Sequence, residues 1–479
     1  MNEHLTTTLL VAFGITSYSL EIVPNLCSHW NDAGLVLKTF CINAASSHLT
    51  PSPPPRSSPM LADLPSEIWR IIFSYLPTQL MSPINHSELS AESLWKNCTF
   101  PGPHATRDFP TLPQYMDRVI PCRLWKPELK PSSEALAVVQ VCRTWYDLGL
   151  EFLYHTVAFR LKSHFDILRV TLAPPNGRGR FVRRVSIVCP ELGLPDYIRP
   201  ILNCCPNIED FEAHNMYPSR QLFPSPSSIR HCFFYNRDSQ PRFGVTPIDM
   251  SPFTNLQALH LVVVASTKQP PPVLPKLAVL VLKCDSGSAY YYKHVTNWTL
   301  PSLRVLVCQW INTPFLHDLC KAFAQTVELL EVIQYDHWPM TLATLEMPML
   351  KHLVINWIPP FPGYRPKFNL KRHFHSLPSL TAAHIDNLDR ALGNARGFGV
   401  IAAEIENEMG MLGMLDSDSP LAPQMKTLYV GARIENVKGR ALEKSFAKTA
   451  AVGWVLRGRD GIWKVVDDGQ LLLAEPVTA

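Results

Sequence analysis

Leu274-Pro275-Lys276-Leu277-Ala278-Val279-Leu280-Val281-Leu282 carries the phrase on which the fold of this chain turns: apolar, two residues, apolar, one residue, apolar. Leu280 and Leu282 alternate with Val279 and Val281, the period of a β-strand, so the two leucines share one face. Pro275 suits a strand entry, where it need not donate to a ladder. The phrase returns as Val182-x-x-Val185-x-Ile187, Ile208-x-x-Phe211-x-Ala213, Ile229-x-x-Cys232-x-Phe234 and Leu256-x-x-Leu259-x-Leu261. It continues as Leu303-x-x-Leu306-x-Cys308, Val327-x-x-Leu330-x-Val332, Leu350-x-x-Leu353-x-Ile355, Leu380-x-x-Ala383-x-Ile385 and Met425-x-x-Leu428-x-Val430. The starts lie roughly 21 to 30 residues apart until the last, wider gap. Leu300-Pro301-Ser302-Leu303 and Leu377-Pro378-Ser379-Leu380 repeat the proline entry. One such unit cannot bury its own apolar edge, whereas stacked units share a continuous core. The expected fold class is α/β, with parallel strands forming one face of an irregular solenoid over 157–440. An α/β domain with an ordinary parallel sheet is the other architecture that strand-plus-helix repetition allows, but the period and the Leu-Pro-x-Leu entries favour the solenoid.

Residues between the inward ones are expected on the concave side of that solenoid, open to a client protein. Phe233, Tyr235, His260, His352 and His384 are the candidate client-binding residues, accompanied by His214, His231, Val262, Val279, Val281 and Val354. Aromatic, valine and histidine side chains on a sheet face suit a protein or peptide better than a phosphate polymer. After the array, 441–479 reads as a terminal cap. It holds a short helix over Ser445–Gly453 and a hairpin over Trp454–Val466.

Upstream, Leu64-Pro65-Ser66-Glu67-Ile68-Trp69-Arg70-Ile71-Ile72-Phe73-Ser74-Tyr75-Leu76 reads as a helix. Pro65 belongs in a first turn and Glu67 complements the positive end of the dipole. Ile68, Ile72 and Leu76 make one apolar stripe, and Pro77 ends the helix. A helix this short is marginal in water, so its stripe must be buried against something. Ala135 to Val141 reads as a second apolar helix, and Trp145, Leu148, Phe152 and Leu153 continue a helical pattern toward Tyr154.

The order LP-x-E-I…I-F-x-Y-L…V-x-x-VC-R-x-W resembles an F-box, the helical module that docks its protein onto the Skp-type adaptor of a cullin-RING ubiquitin ligase. The resemblance implies an F-box-like module over 60–156, with Leu64, Pro65, Ile68, Ile72, Leu76, Val141, Cys142 and Trp145 among the residues that meet the adaptor. It departs from the family in one place: a Pro-rich, polar stretch at about 78–133 separates the first helix from the second. That stretch is a tolerated surface insertion or retained sequence foreign to the module. The array behind it resembles the degenerate leucine-rich repeats of fungal-type F-box proteins. Where typical repeats place Asn or Cys, this chain has Met216, Arg237, Val264, Asp285, Ile311, Ile358 and Leu388, so no asparagine ladder is available there. The implied function is substrate receptor of an SCF-type ligase, with the adaptor, through it a cullin, and a client protein as partners. The alternative is a leucine-rich-repeat recognition or scaffold protein not engaged with a ligase.

Composition sets the remaining bounds. The 479 residues are 46% hydrophobic and 18% charged, enough for two or three domains with a large core. A net charge of +4 does not argue for nucleic acid or an anionic membrane. The dense basic run Arg178-Gly179-Arg180-Phe181-Val182-Arg183-Arg184 is expected as a solvated edge. Twelve cysteines lack metal-ligand spacing and favour a reducing compartment, cytosol or nucleus. Leu5–Val23 is too polar for a spanning helix, and 1–59, ending in a Ser/Pro-rich linker, is expected to be poorly ordered. His373-Phe374-His375 has no third ligand in view. With no P-loop, dinucleotide glycine motif, G-x-S-x-G or H-E-x-x-H, the chain reads as a non-enzyme without cofactor or metal.

Overall fold

A computed structural model of the protein describes residues 66, 69–70, 139–140, 143–159, 162–174, 177–187, 195–214, 223, 225–235, 250–261, 271–283, 294–309, 313–334, 345–357, 374–386, 422–430, 455–457, 461–465 and 471–476. The N-terminal extension 1–59, the stretch 78–133 and the helix expected at Ser445–Gly453 lie outside them. The chain forms two compact units, Met1–Gln79 with Lys130–Leu153, and Leu80–Leu129 with Tyr154–Ala479.

In the second unit every one of the ten phrases becomes a strand of one sheet. Parallel strands follow chain order: β1 (Thr156–Phe159), β2 (Arg184–Ile187), β3 (Asp210–His214), β4 (His231–Tyr235), β5 (Ala258–Leu261), β6 (Val279–Lys283), β7 (Val305–Gln309) and β8 (Leu329–Gln334). β9 (Leu345–Glu346) and β11 (Phe374–Ser376) pair separately, while β10 (His352–Trp357), β12 (Ala382–Asp386), β13 (Thr427–Val430) and β14 (Val455–Arg457) extend the main sheet. The expected hairpin is present as β14 with β15 (Gly461–Val465), and β16 (Leu471–Pro476) adds a second antiparallel step. β1 escaped the sequence pattern because its phrase, Tyr154-x-x-Val157-x-Phe159, opens on a tyrosine.

Register follows directly from the repeat. Leu259, Leu280, Leu306, Leu330, Leu353, Ala383 and Leu428 stand opposite one another, strand after strand, and all are buried. In eight of the ten phrases the first residue closes a tight turn. Leu277 N–H donates to Leu274 O, Leu303 to Leu300, Leu350 to Met347, Leu380 to Leu377 and Met425 to Ala422, at 3.1–3.3 Å. Pro275, Pro301 and Pro378 therefore occupy the second position of a β-turn, for which their fixed φ is preset. The same core receives three helices: α2 (Lys162–Leu172), α3 (Pro195–Asn203) and α4 (Thr313–Phe323), numbered after α1 (Arg143–Leu153) of the first unit. On α4, Phe315, Leu316, Leu319, Cys320 and Phe323 recur at helical spacing, and all five are buried.

The turn backbones are satisfied at the entry end rather than at the positions of the missing asparagines, which fall outside the described residues. Asn207 Nδ2 donates to Arg180 O at 2.8 Å, Ser228 Oγ to Ile208 O at 2.7 Å, Asn255 Nδ2 to Ser227 O at 2.7 Å and Ser302 Oγ to Pro275 O at 2.6 Å. Each of these side chains sits just before its phrase and reaches back to the preceding repeat. A polar ladder exists after all, displaced to the other end of the strand.

The basic run is not a solvated edge throughout. Arg184 is buried with its Nη2 at 3.6 Å from Glu212 Oε2, and Arg178 donates to Tyr154 Oη at 2.8 Å while stacking over that ring. Arg180 is exposed, and Arg178 and Arg183 are half-buried.

Candidate functional site

Two places collect the residues singled out from sequence. The first is in the helical unit. Trp69 is 7% exposed and packs on Trp145 of α1, ring centroids 4.6 Å apart at 57°. The next residue, Arg70, brings its Nε to 3.9 Å from Glu151 Oε2, a surface pair of small energetic value. Trp69 and α1, distant in sequence, thus meet through two indoles. Of the candidate adaptor contacts, Trp145 is described and is half-buried. Leu64, Pro65, Ile68, Ile72, Leu76, Val141 and Cys142 lie outside the described residues. Trp69 was not singled out from sequence, although an indole inside an apolar helix is the natural candidate for its largest contact.

The second place is the sheet face opposite the leucine columns. Register sets its residues in two rows: Arg184, Asp210, His231, Ala258, Val279, Val305, Leu329, His352 and Ala382, and beside them Ser186, Glu212, Phe233, His260, Val281, Val307, Glu331, Val354, His384 and Tyr429. Its middle is apolar and its flanks are polar. On the β2–β5 side, Ser186 Oγ donates to Glu212 Oε2 at 3.1 Å beside Arg184, and His231 Nδ1 stands 2.5 Å from Asp210 Oδ1. Phe233 meets His260 edge-on at 6.3 Å. On the far side His384 lies 6.1 Å from the Tyr429 ring.

This face is closed, which corrects the sequence expectation of an open surface. Phe233 is 2% exposed, His260 1% and His384 7%, and Val279, Val281 and Val354 are buried as well. His352 is half-buried, and the side chain of Tyr235 lies outside the described set. The physical reason was legible. Val279-Leu280-Val281-Leu282 and Val305-Leu306-Val307-Cys308 are unbroken apolar runs, and parallel strands of that composition are covered on both faces. The charges of the flank survive burial because they are matched: the Glu212 carboxylate has both a guanidinium and a hydroxyl.

Among the described residues, Cys205, Cys232, Cys308 and Cys320 are built as core. Burial pushes the Cys205 thiol up to about 12, with Cys204 beside it adding to the shift, and burial alone takes Cys320 to about 12. Cys232 and Cys308 lie well above the ordinary thiol range for the same reason. Among the described residues no group of three His, Cys, Asp or Glu could hold a metal ion, and no helix is long and apolar enough to cross a membrane. No protein-family model matches the sequence, and a search of curated proteins finds no match.

Proposed function

We propose that this chain is the substrate-recognition subunit of an SCF-type cullin-RING ubiquitin ligase. In that reading the helical unit is an F-box holding a Skp-type adaptor, and the parallel strands are a leucine-rich-repeat-like solenoid holding a client. The observation that carries the reading is the Trp69–Trp145 contact, since an F-box requires these two sequence segments to pack as one module. The chain-order parallel sheet built from a repeated phrase supports the second half. The protein would supply proximity and orientation in the cytosol or nucleus, contributing no catalytic group, cofactor or metal. Client contact at Phe233, His260 and His384 requires that the covered face open; His352 is the candidate nearest to solvent. A second reading, a recognition or scaffold protein outside any ligase, is favoured by the stretch at 78–133 between the two F-box segments.

One capture experiment separates them. Full-length wild type is expected to recover the adaptor and the cullin, and Pro65→Ala with Trp145→Ala to recover neither while the sheet unit melts as before. Wild type that recovers no adaptor would overturn the ligase reading.

A further inference from the structure

The entry ends of the strands form a rim whose charge is unevenly placed. At the first position after the last five phrases begin stand Arg304 (β7), Glu328 (β8), Lys351 (β10), Thr381 (β12) and Lys426 (β13), aligned by a backbone ladder. Glu328 N–H donates to Arg304 O, Lys351 to Glu328 O, Thr381 to Lys351 O and Lys426 to Thr381 O, at 2.8–2.9 Å. Lys276, exposed at the entry of β6, turns the other way and donates to Asn255 Oδ1 at 2.7 Å. The side chains of Arg304 and Lys351 are 46% and 48% exposed, and Lys426 is exposed as well. Glu328 is shared between Arg304 Nη1 at 3.1 Å and Lys351 Nζ at 2.9 Å. Three cations against one carboxylate leave net +2 on this stretch of the rim. The cations are also regularly spaced: Arg304, Lys351 and Lys426 are each two strands apart, about 9.5 Å per interval at normal strand separation.

We propose that this rim docks an extended acidic segment of a protein partner, with Asp or Glu at every third residue. An extended chain advances about 3.3 Å per residue, so every third side chain falls about 10 Å along and meets one cation of the row. Glu328 and Thr381 then face the intervening residues. A nucleic-acid backbone fits worse, because a strand of duplex carries a phosphate about every 3.4 Å and would bring charge against Glu328. The surface is separate from the closed sheet face and independent of the ligase reading.

The probe is a labelled synthetic peptide with glutamate at every third position, titrated with the full chain by fluorescence anisotropy at low and at physiological salt. Controls are the same composition with the glutamates contiguous, and an oligothymidylate of equal charge. The spaced peptide is expected to bind best and to weaken with salt. Arg304→Gln with Lys351→Gln is expected to lose about tenfold, the sum of two exposed charge contacts. Glu328→Gln is expected to bind a few-fold tighter, because a like charge leaves the row. Binding that survives the double substitution, preference for the contiguous peptide, or tighter binding of the oligothymidylate would each overturn the proposal.

Discussion

Gly179→Ala tests the packing of the first repeats. Gly179 lies in the short 3-10 turn Arg178–Phe181, and Val182 N–H donates back to its carbonyl to start the strand β2 phrase. A β-carbon there would stand 1.9 Å from Cys204 O, 2.7 Å from Cys204 C and 3.1 Å from Leu172 O. All three are backbone atoms at the ends of α3 and α2, so no side chain can rotate away. The turn must retreat by about 1 Å to bring the closest contact to 3.0 Å. Over-packing of this kind costs about 1–3 kcal/mol when side chains yield. With main chain on both sides, about 3 kcal/mol is expected. Gly177, two residues earlier, gives an internal scale: its φ of 57° and ψ of 16° are left-handed, so Gly177→Ala is expected to cost about 1 kcal/mol through backbone strain alone. Urea denaturation of both variants reads the difference. Hydrogen exchange is expected to show lost protection in β1–β3 and unchanged protection in β8–β13. Gly179→Ala within about 0.5 kcal/mol of wild type would refute the close approach of this turn to α3.

Ser302→Ala removes the 2.6 Å bond to Pro275 O and is expected to cost about 0.5–1.5 kcal/mol. Ser379→Ala, at the same place in Leu377-Pro378-Ser379-Leu380, removes no such bond and is expected to be near neutral; equal costs would show that the displaced ladder is not what stabilises the turns. Thiol labelling followed by mass spectrometry is expected to find Cys204, half-exposed, ahead of Cys205, Cys232, Cys308 and Cys320. The thiolate is the reactive form, and thiols at about 12 hold only about one thiolate in a thousand at pH 9. Raising the pH from 7 to 9 should therefore speed Cys204 and leave Cys205 and Cys320 inert. Labelling of Cys320 at the Cys204 rate would contradict its burial.

Much of the strand order was legible because the phrase encodes it twice. Alternation says which residues point inward, and the turn-closing leucine or valine three places earlier says where the strand begins. Ala383 and Cys308 kept their inward positions although neither is a strong strand former, since the neighbours above and below fixed the register. The displaced ladder was harder to see. Asn207, Ser228, Asn255 and Ser302 have no common residue type, and what unites them is a carbonyl one repeat away, which only the stacking supplies. Arg184 misled for a related reason: its partner Glu212 is far off in sequence but one strand away in space.

The closed second face is where local pattern and global fold diverge, and the divergence has a cause. In Ile208-x-x-Phe211-x-Ala213 the intervening residues are Glu209, Asp210 and Glu212, which on composition alone belong in water. In Leu277-x-x-Leu280-x-Leu282 they are Ala278, Val279 and Val281, which do not. Both compositions lie on one closed face, so the polar end is buried along with the apolar centre, and the boundary between them is marked by His231, His260, His352 and His384 on either side of the valines. Buried carboxylates near such a boundary are tolerable only when paired, and Glu212 is paired with Arg184 and Ser186. Any partner that uses this face must therefore offer something better than the cover it displaces: apolar surface for Val279, Val281, Val305 and Val307 at the centre, and hydrogen-bonding groups for the histidine flanks. The entry rim has no such toll, because its cations already stand in water, which makes it the face where a first, salt-sensitive encounter costs least.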